Sequence, residues 1–313
     1  MNTRFKRTSI LFAFLFAAAM PAFAQTAPTP PNRFAASIAP VERFELQGML
    51  VERHGSGVRP MILIPGLATG GWVWQETVRE FSKDHAVYVV TLPGFDGRPA
   101  VAGNPFDAAK GALAELVASR RLDKPVLVGH SIGATLSIAL AEDLGDRIGG
   151  TVAIDGLAVF PRTENTPPEQ RAAMAESFRQ RMAAATPQAF AAQQQQYMRG
   201  AGVTDMGKAD DLAKLTARSD PAAAAAYAGA VLALDLRPGL SKIRAPMLML
   251  VPSYAPDNAA MGMSAVDKLA YYRELMTGTP KLDVQLIDNA RHFAMIDQPR
   301  AVHDALRQFL KTL

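Results

Sequence analysis

The strongest constraint on the fold of this chain is a rhythm. From residue 60 onward, short apolar runs alternate with segments whose apolar positions recur at helical spacing. The runs are PMILI (60–64), HAVYVVTL (85–92), PVLV (125–128), TVAI (151–154), PMLMLV (246–251) and LDVQLI (282–287), and Pro-Gly stops the first two. Runs this short and this apolar fit strands covered on both faces. Between them, Phe106, Ala109, Leu113, Leu116 and Val117 share one helical face, and Ala301, Val302, Ala305, Leu306, Phe309 and Leu310 form a stripe on the last helix. The alternation predicts a mostly parallel sheet with helices on both faces. A weaker alternation over 44–52 reads as one further strand, followed by a turn at His54-Gly55-Ser56-Gly57. Between about 160 and 240 the rhythm stops. This stretch holds no strand-like run, only Ala, Gln, Met and Arg at helical spacing, and reads as a helical insertion. No repeat of fixed period occurs, which argues against solenoids and propellers.

Length and charge narrow the class. The chain has 313 residues, 49% of them hydrophobic and 20% charged, ordinary globular usage that excludes wholesale disorder. Residues 10–20 are an uninterrupted apolar run, about half of what a spanning helix needs. Arg4, Lys6 and Arg7 precede the run, and Ala22-Phe23-Ala24 closes it. A basic start, a short apolar middle and an A-x-A end predict a signal peptide over 1–24, cleaved before Gln25, and hence a periplasmic or secreted protein without a membrane anchor. Loss of those three basic residues takes the formal charge from +4 to +1, so its basicity gives no reason to expect nucleic acid as a partner. Residues 25–43 read as a tail. There is no cysteine, hence no disulfide and no thiolate nucleophile.

The chemistry concentrates at Gly129-His130-Ser131-Ile132-Gly133, where PVLV ends and a helix begins. This G-x-S-x-G pattern places a serine on a sharp strand-to-helix turn, with glycines two before and two after so that strand and helix can approach. A serine hydroxyl needs a base, and the base needs an orienting acid. Of five histidines, His292 alone follows a strand (LDVQLI) through a short loop, and so emerges at the sheet edge where Ser131 lies. Asp257 after PMLMLV is the expected acid, with Asp155 after TVAI as the alternative. The oxyanion donors expected are the N–H groups of Ile132 and of Leu67, the latter in the Gly-rich loop after PMILI. No G-x-G-x-x-G, G-K-[ST] or H-E-x-x-H occurs, so neither nucleotide nor metal is expected, and no cofactor.

Taken together, PMILIPGL, TLPGFDG, VGHSIGA and NARHF resemble the α/β-hydrolase superfamily over about residues 47–313. The resemblance implies an α/β-hydrolase fold and the order Ser131, Asp257, His292. It also implies a helical cap inserted after the sixth strand, which gives core segments 44–159 and 241–313 around a cap at 160–240. It implies a serine hydrolase acting on a small carboxylic ester or lactone. A cofactor-free perhydrolase of haloperoxidase type would use the same residues, and a non-catalytic small-molecule binder is the reading from another class. Met174, Phe178 and Met182 share a helical face in the insertion. This face either packs the insertion onto the core or, with Trp72, Trp74 and Leu67 as the opposite wall, roofs an apolar pocket that favours uncharged acyl groups.

Overall fold

The computed structural model describes residues 32–34 and 38–313. The leader expected over 1–24 and residues 25–31 and 35–37 of the expected tail lie outside them; the rest of that tail is not loose, since Phe34 and Ile38 pack on the core and the first strand begins at Glu42. Eight strands form one sheet: β1 (Glu42–Leu46), β2 (Met49–His54), β3 (Arg59–Ile64), β4 (His85–Thr91), β5 (Val126–His130), β6 (Gly150–Ile154), β7 (Met247–Ser253) and β8 (Leu282–Asp288). Their order is β1-β2-β4-β3-β5-β6-β7-β8. All pairs are parallel except β1/β2 and β2/β4. The single strand expected over 44–52 is in fact a hairpin. Gln47 and Gly48 both take positive φ (49° and 80°), the two-residue turn whose twist matches the flanking strands. The alternation survived the turn in the sequence because a two-residue loop preserves the period of two.

Burial follows position in the sheet. Every residue of β5, β6 and β7 is buried, whereas the edge strand β1 alternates between half-buried and exposed. Met61 and Leu63 of β3 face one core layer and Ile62 and Ile64 the other. Four helices carry those layers: α1 (Gln75–Phe81), α2 (Pro105–Ser119), α3 (Ile132–Leu144) and, at the chain end, Pro299–Leu310. Val302, Leu306 and Phe309 of the last pack with Phe81 of α1, and Leu113 and Leu116 of α2 with Leu136 and Leu140 of α3.

After β6 the chain leaves the sheet. A bridge between Val159 and Asp235, and a hydrogen bond from the Leu236 N–H to the Ala158 carbonyl (2.7 Å), draw the ends of the excursion into one neck. Between them run α4 (Pro168–Ala183), α5 (Pro187–Tyr197), α6 (Met206–Thr216) and α7 (Pro221–Ala233). Thr186, Asp205 and Asp220 cap the last three by accepting from first-turn N–H groups, and proline opens α4, α5 and α7. A π-turn, Met198–Gly202, follows α5. Beyond β7 come α8 (Ala255–Ala260) and α9 (Ala265–Leu275). No helix among the described residues is long and apolar enough to cross a membrane.

Candidate active site

In the parallel ladder His130 of β5 pairs with Ile154 of β6, so Ser131 and Asp155 leave the sheet side by side. Both leave it with the backbone in the left-handed region, at φ 55° for Ser131 and 47° for Asp155. For residues with a Cβ this conformation costs about 1–3 kcal/mol and persists only where the surroundings enforce it. The surroundings of Ser131 do. Its N–H donates to the Ile154 carbonyl (2.9 Å) and its carbonyl accepts from Ala134 and Thr135. A Cβ on Gly129 would stand 2.1 Å from the Gly133 carbonyl oxygen, and one on Gly133 would stand 2.3 Å from that of Ile64. The spacing of the two glycines is therefore the closest approach of β5, α3 and β3.

His292 sits between β8 and the last helix, and its Nδ1–H donates to Asp155 Oδ2 at 2.6 Å. The other carboxylate oxygen of Asp155 accepts from the Tyr272 hydroxyl of α9 at 2.5 Å. Burial pushes the Asp155 carboxyl up. The His292 hydrogen bond and charge, the Lys268 ammonium and the Tyr272 hydroxyl together outweigh burial and hold it at about 2. Tyr272 is itself pushed well above its ordinary value, first by burial and then by the Asp155 charge, so it remains a donor. Ser131, Asp155, Tyr272 and His292 line one small cavity of about 240 Å³.

Asp257 is not beside His292. It accepts two hydrogen bonds from Arg291, each 2.8 Å, in the first turn of α8. A planar guanidinium offers a carboxylate two parallel donors, and Arg291 precedes His292 in the same loop. The acid expected to orient the imidazole instead braces the loop that carries it. The π-turn adds to that bracing, since Ala201 and Gly202 accept from the His292 and Phe293 N–H groups (3.1 and 2.9 Å) and Arg199 accepts from Arg291.

The loop after β3 runs beside the nucleophile, for a Cβ on Gly66 would lie 3.1 Å from Ser131 Cβ. Thr69 fixes its shape, donating to the Gly66 carbonyl through both its N–H and its hydroxyl. The Ile132 N–H opens α3 and has no acceptor one turn back in that helix. Leu67 and Ile132 both line the large cavity described next.

That cavity measures about 960 Å³ and lies between the inserted helices and the sheet edge. Met174, Phe178 and Met182 of α4 form one wall, Val231 and Leu232 of α7 another, and His292 and Phe293 stand on the core side. Trp72 and Trp74 are elsewhere. They belong to a 3₁₀ turn, Gly71–Trp74, that returns the chain to the sheet and buries both rings against Met61, Leu63 and Val89. Trp72 borders a separate cleft with Glu52, His54 and Asp96. Helical spacing located the methionines, but nothing in Gly-Gly-Trp-Val-Trp showed which way the turn faces.

Two residues near the site had no signal in the sequence. Tyr272 is one, reaching Asp155 from a helix 117 positions away. Tyr197, the last residue of α5, is the other. Its ring meets His292 edge to face at 5.9 Å between centroids. His130 is fully buried and donates through Nε2 to the His292 carbonyl at 3.0 Å. Burial holds its imidazole well below the ordinary value, so it packs as a neutral ring. No cluster of three or more His, Asp or Glu among the described residues is disposed to hold a metal ion.

Comparison with known proteins agrees with the fold. The family described as "Alpha/beta hydrolase family" matches residues 61–305. Among solved structures, a thermophilic esterase from Thermogutta terrifontis is 22% identical with a TM-score of 0.68, over 87% of this chain and 98% of that one. An enol-lactonase from Burkholderia xenovorans LB400 is 18% identical with a TM-score of 0.64, over 86% and 100%. A bromoperoxidase from Bacillus anthracis is 21% identical with a TM-score of 0.67, over 84% and 95%. At these identities the likeness is one of fold. No curated protein matches the sequence.

Proposed function

Because this chain belongs to the alpha/beta hydrolase family, we propose that it is a serine hydrolase of carboxylic esters that works through an acyl-enzyme on Ser131. The observation that carries the proposal is the 2.6 Å bond between His292 and Asp155 at the edge where Ser131 stands in a strained turn. With Nδ1–H committed to Asp155, Nε2 is the nitrogen left to take a proton. In the proposed reaction Nε2 removes the Ser131 proton as the oxygen attacks the ester carbonyl. The imidazolium that results lies against the Asp155 carboxylate, and the Leu67 and Ile132 N–H groups receive the oxyanion. His292 then protonates the leaving alcohol, and a water molecule activated by the same nitrogen releases the acid. A lactone would open by the same steps, and perhydrolysis would place hydrogen peroxide where water attacks. A passive binder has no use for a strained serine beside a histidine oriented by a carboxylate.

The proposal extends to location: the leader motif over 1–24 supports export, with a mature chain starting at Gln25.

A fluorophosphonate probe tests the chemistry. One equivalent should attach to Ser131, and Ser131→Ala should abolish labelling and lower kcat by about 10⁴–10⁶-fold. Folded protein that takes up no label would overturn the proposal in favour of a binder.

A further inference from the structure

The large cavity is apolar in its walls but not neutral at its edge. Its charged lining residues, His292 aside, are Arg162 and Arg181, and no carboxylate lines it. What sets these two apart is their lack of partners. Arg171, Arg179, Arg199, Arg218 and Arg237, the other arginines of the inserted segment, each have an Asp or Glu within 4.0 Å. Arg162 and Arg181 have none among the described residues. Arg181 shares its cavity-facing side of α4 with Met174, Phe178 and Met182. Arg162 is held in place by its backbone, which takes φ 66° and donates its N–H to the Tyr271 hydroxyl at 2.9 Å. Both arginines are exposed, so their guanidinium groups stand at the rim of the cavity rather than within it.

Resting on the ester-hydrolase reading above, we propose that the substrate is amphiphilic: an ester whose apolar chain fills the cavity and whose far end carries an anion, carboxylate or phosphate, met by Arg162 and Arg181. A planar guanidinium gives either anion charge-assisted hydrogen bonds. On this proposal the α4 stripe holds the chain, and the anion at its far end departs from the uncharged acyl group expected from the sequence.

The test compares three esters of equal chain length: p-nitrophenyl octanoate, mono-p-nitrophenyl suberate and p-nitrophenyl 8-phosphooctanoate. In low salt the wild type should favour the better of the two anionic esters at least about tenfold over octanoate in kcat/KM, and the preference should shrink as salt screens the rim. Whichever anionic ester leads identifies the terminal group. The ratio should fall towards one in Arg162→Gln/Arg181→Gln with the thermal midpoint retained, and Arg181→Lys should keep part of it. Equal or better turnover of octanoate by the wild type would overturn the proposal, as would a preference that survives the double substitution. If Ser131 takes no label and no ester is cleaved, the hydrolase reading has failed by itself. Calorimetry on Ser131→Ala then judges the anion site: tenfold tighter binding of monomethyl suberate than of methyl octanoate supports it, and equal binding sinks it.

Discussion

At the scale of single residues, the division of labour between two aspartates is set by neighbours. Asp155 faces an imidazole and a tyrosine hydroxyl, while Asp257 faces a guanidinium. Asp155→Asn should therefore lower kcat by about 10⁴-fold, because an amide stabilises the wrong imidazole tautomer. Asp257→Asn should lower it only a few-fold by loosening the Arg291 brace, and steady-state kinetics on the pair distinguishes them. The opposite ranking would return the orienting role to Asp257. Tyr272→Phe tests the second bond to Asp155. The folded-state pKa of this carboxyl is depressed to about 2 from a reference of 3.8, so its stabilisation is present above 3.8 and lost as pH falls through 2. Removal of the tyrosine donor raises the folded value. The acid-unfolding midpoint should move to higher pH and kcat should fall, whereas a phenol that merely fills space would leave the acid midpoint where it is.

At the scale of elements, the elbow depends on backbones that nearly touch. A Cβ on Gly133 would meet the Ile64 and Pro65 carbonyl oxygens at 2.3 and 2.6 Å, and neither can swing aside as a side chain would. Gly133→Ala should cost about 3 kcal/mol or more in urea unfolding, at the upper end of single substitutions. Gly111 provides the contrast within α2. It is exposed, and a Cβ there would meet nothing within 4 Å. Gly111→Ala should stabilise the protein by about 0.5–1 kcal/mol through helix propensity alone. If the two substitutions behaved alike, close approach would not be the reason for glycine at the elbow.

At the scale of the whole molecule, one half-buried acid ties stability to pH on the alkaline side. Glu142 of α3 lies against Gly239, where burial and the Asp143 charge push its carboxyl up to about 7 against the pull of Lys242 and Lys110. A raised carboxyl favours the fold while protonated, fully below its unfolded value near 4.5, and that advantage is lost as pH rises through 7. Glu142→Gln should raise the melting temperature at pH 8 and change it little at pH 5, and an equal shift at both would refute the titration. The strand-and-helix rhythm, the helical insertion, the elbow at Ser131 and the stripe of Met174, Phe178 and Met182 were legible in the residues alone. Each is a local pattern, fixed by periodicity or by the steric needs of one turn. Which aspartate meets His292, where Trp72 and Trp74 go, that residues 44–52 turn back on themselves, and that Tyr272 reaches Asp155 all depend on contacts between separate segments. Strand order and register bring Asp155 beside Ser131. Pairing preferences among charged side chains, summed over distant segments, assign Asp257 to Arg291. Neither leaves a trace within a few residues of the groups it places.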